Sequence, residues 1–105
     1  MEYINKIEIT GRLTRDAEFK QIADEKRFCK LSIAHNHLQD KTSFFDVIAW
    51  DDAADCAANG KKGAAVHIKG HIQQNRWIGS DGQARSRVEI RAGIIEFMSD
   101  EALVW

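Results

Sequence analysis

"TSFFDVIAWDDAADCAANG", residues 42–60, changes period at its middle. Up to Trp50 it has the β-branched and aromatic content of a strand. Side chains alternate between the two faces of a strand. Phe45, Val47 and Ala49 therefore share one side, and Phe44, Asp46, Ile48 and Trp50 share the other. From Asp51 the chain is Ala-rich, with Asp51 and Asp52 as N-cap candidates and Gly60 as a natural C′ residue. That predicts one short helix of about two turns. Where this strand-to-helix switch falls among the other elements decides the fold.

Toward the N-terminus the chain reads as strand. "KIEITGRL" alternates Ile7, Ile9 and Gly11 against Lys6, Glu8 and Thr10. Gly11 in that row suggests a bulge or sharp bend. A polar stretch, "QIADEK", leads to "RFCKLSIAH", where Cys29, Leu31 and Ile33 point one way, and a second polar loop, "NHLQDK", precedes the opening segment. Beyond the helix, "AAVHIKGHIQQNRW" puts Val66, Ile68 and Ile72 on one face. His67, Lys69, His71, Gln73, Asn75 and Trp77 lie on the other if the strand is unbroken. Ser80, Asp81 and Gly82 supply a hairpin turn. In "ARSRVEIRAGIIEF" the expected inward row is Ser86, Val88, Ile90, Ala92 and Ile94, with Arg85, Arg87, Glu89 and Arg91 outward. Three strands, a short helix and two long strands joined by an extended hairpin give the element order of an all-β OB-fold, a five-stranded Greek-key barrel. An SH3-like barrel or sandwich fragment also has several short strands; the helix between strands three and four favours the OB reading.

The 105 residues fit one domain, with residues 1–98 as the barrel and 99–105 as a short extension. Hydrophobic residues make up 44% and charged residues 30%, an ordinary balance for a soluble globular domain. The N-terminus, "MEYINKIEIT", has no signal-peptide core, and no apolar run approaches a membrane span. Cys29 and Cys56 form no paired-spacing motif, so reduced thiols and a cytoplasmic, nucleoid-associated location are expected.

A net charge of −1 hides a segregation: residues 60–91 carry +5, residues 46–59 carry −4 and residues 92–105 carry −3. Single charges are mostly solvated surface, but clustering on adjoining strands favours a local anion-binding surface. Phe44, Ile48 and Trp50 lie opposite the core face of their strand, and Trp77 sits in the row of Lys69 and Gln73. Planar rings interleaved with Lys and Arg suit a single-stranded nucleic acid, whose bases lie on rings while cations follow the phosphates. For Phe44 and Trp50, burial under a loop or in a subunit interface competes evenly with stacking. Trp77, near a hairpin tip, is harder to bury. Lys62 beside the helix can act as a solubilising charge, and Arg85 and Arg87 can form cross-strand ion pairs.

These residues carry a resemblance, running from about Tyr3 to Met98, to the bacterial single-stranded DNA-binding protein family. "INKIEITGRLTRDAE" is similar to that family's opening strand and turn, "FCKLSIA" to its second strand and "TSFFDVIAW" to its third. "KKGAAVHIKGHIQQNRW" and "DGQARSRVEIRAGIIEFM" resemble its long hairpin. The resemblance implies stacking on Phe44, Trp50 and Trp77 and phosphate contacts at Arg12, Lys62 and Arg76; a further aromatic that some members carry falls near Leu38, which is not aromatic here. It also implies a homo-oligomer, most often a tetramer, with first strands pairing between subunits. Arg15, Lys69, Arg85 and Arg87 join the expected site on parity and charge. Asp52 stands where many members are basic, and Gln73 and Asn75 where Arg is frequent. Fewer neutralised phosphates imply weaker binding and a shallower salt dependence. The family usually continues into a flexible linker and an acidic tip that recruits other proteins. "SDEALVW" is not equated with that tip, so no tail-mediated partner is expected.

Nothing in the sequence argues for an enzyme, a cofactor or a metal: there is no Gly-rich phosphate loop and no Cys-x-x-Cys. His35 and His37 share the parity of Cys29 and read as surface histidines beside a loop. His67 and His71, if they line the groove, would add positive charge on protonation near their reference value of ~6.5. The expected function is binding of single-stranded DNA without strong sequence preference, in replication, recombination or repair. Two rivals remain: a dimeric factor like primosomal replication protein N, and a structural barrel whose aromatics bury in a protein interface.

Overall fold

The computed structural model describes residues 1–39 and 41–99, with Leu38 described in its backbone alone. The elements are β1 (Ile7–Leu13), β2 (Glu18–Ala23), β3 (Lys26–Leu38), β4 (Lys41–Trp50), α1 (Asp52–Ala57), β5 (Ala65–Ile78) and β6 (Ala84–Met98). The sheet runs β1-β5-β6-β4-β3-β2, and a further β1–β3 pairing closes β1, β3, β4, β5 and β6 into a five-stranded barrel. The OB-fold expectation is met. The pairs are antiparallel except β4 with β6, where Val47, Ile48 and Ala49 meet Ile90, Arg91 and Ala92 in parallel.

Alternation decides which side chains fill the barrel. Leu31, Ile33, Val47, Val66, Ile68 and Cys29 are fully buried, joined by Leu13, Ala49, Ile90, Ala92 and Ile95. Each large aliphatic side chain removed from water contributes about 1.5–3 kcal/mol. Ala53, Ala54 and Ala57 of α1 cap this core. Their small size lets the short helix sit close over the barrel end.

Closure happens at Arg12, whose backbone is in register with Ala34 of β3 and Ala65 of β5. Gly11 is regularly paired with Val66 and makes no bulge there. It permits a close approach instead: a Cβ would lie 2.7 Å from the Ala34 carbonyl oxygen. Gly60 has a similar role, because a Cβ there would meet Leu13 at 2.7 Å and Phe97 at 2.9 Å. It therefore lies beyond the C-cap residue, Ala58, as a packing position.

Several local expectations are corrected. The polar segment before β3 holds a strand, β2, exposed along its whole length and paired to the first half of β3. Its backbone is satisfied by the ladder, so it needs no apolar face. The second polar loop is largely strand too, with Thr42 Oγ1 donating to Asn36 Oδ1 at 2.9 Å across the β3–β4 hairpin. In β6 a register shift opposite Lys69 and Gly70 leaves Gly93 as an extra residue. Such a bulge reverses the parity beyond it. Ile95 is consequently buried and Ile94 exposed. Val88 and Ser86 are exposed as well, because the β5–β6 hairpin runs past the barrel as a two-stranded arm with both faces wet. Ile72, at the rim, is 44% exposed.

Asp51 occupies the N-cap position with φ 52° and makes no side-chain cap. Its Oδ1 instead accepts from the Arg27 backbone N–H at 3.0 Å.

Candidate nucleic-acid interface

The outward row of β4 is the centre of the site. Trp50 ends that strand in register with Phe28 of β3, and the two rings meet with centroids 4.9 Å apart at 56°. Lys26 Nζ stands 5.2 Å from the Trp50 ring centroid. Phe28 and Lys26 are not among the residues expected from the sequence, although Phe28's parity, opposite Cys29 and Leu31, is a readable signal. Phe44, at the other end of the row, is 68% exposed. Ile48 between them is buried, so the row presents rings at its two ends over an aliphatic floor.

Beside β4 runs β6, and beside β6 the arm of β5. Cross-strand partners share a face, so Trp77 and Arg85, Asn75 and Arg87, Gln73 and Glu89 stand in pairs. Arg87 bridges the two halves of the surface. Its guanidinium carbon lies 5.7 Å from the Trp77 ring centroid, and its Nη1 is 3.8 Å from Asp46 Oδ2 on β4. Arg85 is held by Asp81 in the hairpin turn at 2.7 Å. Phe44, Trp50, Trp77, Arg85 and Arg87 thus share one outer face.

The remaining candidates lie elsewhere. Arg12 Nη1 donates to the Gly63 carbonyl at 3.0 Å. The turn at residues 14–17 is laced to the loop at 60–64 through Ala17 N–H to Gly60 O and Lys62 N–H to Asp16 Oδ1. That lacing gathers Arg12, Arg15 and Lys62 at one end of the barrel, with Arg15 3.8 Å from Glu18. Lys69 Nζ sits 4.0 Å from Glu8 on β1, beside the 2.6 Å contact of His67 with the same carboxylate. His67 therefore belongs to the β1–β5 face, and His71 to the row beside Arg91. Arg76, one residue before Trp77, projects from the opposite face of the arm and donates to Gln74 Oε1. His35 Nδ1 contacts the Thr10 carbonyl oxygen at 2.7 Å. The Leu38 side chain and residues 100–105, which include most of the expected extension, lie outside the described residues.

The acids next to Trp50 are occupied within the chain. Arg27 Nε donates to Asp55 at 2.8 Å and Arg27 Nη2 reaches Asp52 at 3.5 Å. The hydrogen bond to Asp55 raises the Arg27 pKa further above its ordinary value. One cation thus answers three helix-end acids and reduces their repulsion of a strand lying on Trp50.

The model of the single-strand binding protein family matches residues 4–98. A single-stranded DNA-binding protein of Treponema pallidum is 32% identical over 106 residues, covering 93% of this chain and 60% of its own length. Single-stranded DNA-binding protein 2 of Chlorobaculum tepidum is 32% identical over 112 residues, covering 94% of this chain and 74% of its own. The crystal structure of the Thermus aquaticus single-stranded DNA binding protein shares the fold with a TM-score of 0.75. Its sequence identity is 23%, over 91% of this chain and 41% of that one.

Proposed function

This chain belongs to the single-strand binding protein family, and from that premise we propose that it binds single-stranded DNA without strong sequence preference. Bases would stack on Trp50, Trp77 and Phe44, while Arg85 and Arg87 hold phosphates along the same face. Arg12, Arg15, Lys62, Lys69 and Arg76 extend the electrostatic path around the barrel. The observation that carries this reading is the shared outer face itself: two partly exposed tryptophans, each with a cation near its ring, on β4 and β5 with β6 between them. Residues 1–98 are taken as the binding domain. The biological role is protection and organisation of unwound strands in replication, recombination or repair, in the cytoplasm at the nucleoid.

Self-association as a homotetramer, or as a dimer, is part of the proposal. It is supported by the edge of β1, which pairs with β3 only at Arg12 and Leu13. Residues 7–10 have no strand partner on that side among the described residues. An unpaired edge is a template for a second copy.

The test is a titration with oligo(dT), following tryptophan fluorescence at low and high salt. Saturable quenching that weakens with salt is expected. No quenching at low salt would mean the rings meet no bases and would return the protein-interface barrel to the front. Sedimentation at equilibrium then distinguishes four copies from two.

A further inference from the structure

A non-specific strand-binding surface needs rings and cations; it has no use for a buried carboxylate. Glu89 is such a group. It is 5% exposed, on the face that carries Trp50 and Trp77. Among the described residues it forms no ion pair, although Arg87 and Arg91 flank it on the same strand. It lines a cavity of about 390 Å³ whose other walls include Trp50, Phe28, Gln73, Asn75 and Arg91. That volume falls within the roughly 300–1,000 Å³ of small-molecule sites. The cavity has an aromatic wall on one side and an acceptor, two side-chain amides and a guanidinium on the other.

We propose that this cavity is a base-reading subsite that takes guanine from a single strand of DNA. Guanine is the DNA base that presents two adjacent donors, N1–H and the 2-amino group, to a single carboxylate. Glu89 accepts both. The acceptors on the rest of the ring, O6 and N7, then face Arg91 and the amides of Gln73 and Asn75. Arg donation to O6 and N7 is the commonest contact that selects guanine. The ring stacks on Trp50. Thymine sets O2 and O4 on either side of its one N–H, so against Glu89 it brings oxygen to oxygen. Cytosine and adenine each offer one amino donor beside an acceptor nitrogen. The order of preference is guanine first and thymine last.

This inference rests on the strand-binding reading above, and it adds selectivity at one position of a strand held elsewhere by stacking and phosphate contacts. A carboxylate in the groove lowers affinity for oligo(dT), whereas a partner with two donors turns the same group to advantage.

Four 12-mers decide it: all-thymidine, and the same strand with one central guanosine, inosine or cytidine. A single guanosine per strand avoids quadruplexes. Competition against a labelled oligo(dT) should give a guanosine strand on the order of ten-fold tighter than all-thymidine. Inosine, which keeps N1–H and lacks the 2-amino group, should fall between them. Glu89→Gln should bring the guanosine-to-thymidine ratio close to one. Should that variant not fold, the comparison of guanosine, inosine and thymidine on the unaltered protein is sufficient. Equal affinities for the four strands, with all of them binding, would overturn this inference and leave the strand-binding reading intact. Failure of every strand to bind would overturn both.

Discussion

Arg87 has two partners: its guanidinium lies over the Trp77 ring at 5.7 Å and reaches Asp46 on a different strand at 3.8 Å. One side chain thereby ties the exposed arm to the outer row of the barrel. A phosphate arriving there competes with Asp46 for it.

Trp77→Ala should lower oligo(dT) affinity by about 1–3 kcal/mol, the usual contribution of one stacked base. The melting temperature should hardly move, because Trp77 stands on the arm outside the core. Trp50→Ala should lose affinity and stability together, since its ring also packs on Phe28. Fluorescence titration and thermal melts on both variants check this. An affinity unaffected by either change would remove stacking from the mechanism.

Replacing Arg87 by glutamine keeps a polar side chain and deletes the charge. For a single strand, each phosphate that a cation neutralises adds about 0.7 to the steepness of log K against log salt. A slope shallower by that amount is expected for Arg87→Gln, measured between low and moderate salt. An unchanged slope would mean that Asp46 keeps this cation from the phosphates.

Gly93, the extra residue of the β6 bulge, and Gly70 opposite it should respond oppositely to alanine. A Cβ at Gly70 would lie 2.0 Å from the Arg91 carbonyl oxygen, a backbone atom that cannot swing away. Gly70→Ala should cost at least the roughly 1–3 kcal/mol of an overpacked site. At Gly93 the nearest atom is the Lys69 carbonyl oxygen, 3.7 Å off. Gly93→Ala should be neutral or stabilising by about 0.4–1 kcal/mol, through a less flexible unfolded chain. Denaturant midpoints separate the two.

Burial pushes the Cys29 thiol up from an ordinary 9.0 to about 11, with the charge of Glu18 adding to it. Between pH 9 and 11 the unfolded chain therefore releases a proton that the folded chain keeps. Stability should be constant below pH 9 from this source and fall across that window, by up to about 1.4 kcal/mol per pH unit. Cys29→Ala should flatten that fall in pH-dependent denaturation. A thiol reagent at neutral pH should label exposed Cys56 and spare Cys29 until the chain unfolds.

The barrel is readable in the sequence because its core strands keep their period. Leu31 and Ile33, Val47 and Ala49, Val66 and Ile68 all alternate as a half-buried sheet requires. The errors fall where something other than burial sets the structure. Ile94 and Ile95 exchange faces because one extra glycine cannot be seen in a hydrophobic pattern. β2 has no buried face to reveal it; the ladder to β3 is what makes it a strand. Alternation assigns Ser86 and Val88 to an inside that the arm does not have. At the site, the rings of Phe44, Trp50 and Trp77 stand out as apolar residues on the wrong parity. Phe28 escapes notice because its importance comes from its register with Trp50, a long-range relation. Glu89 looks like one more outward charge, and only the neighbouring strands give it walls.

The parallel pairing of Val47, Ile48 and Ala49 with Ile90, Arg91 and Ala92 also bears on how the protein comes into being. β4 emerges from the ribosome well before its parallel neighbour, and β1 must wait longer still for β5. Until β6 is free of the exit tunnel, a nascent chain can pair β1 with β5 and β3, and β3 with β2 and β4, but it cannot join β4 to β5 and close the barrel. Domains dominated by such distant pairings fold in milliseconds to seconds. The barrel should therefore close after synthesis in one late step. Pulse proteolysis of stalled nascent chains would find protection appearing abruptly once β6 has emerged.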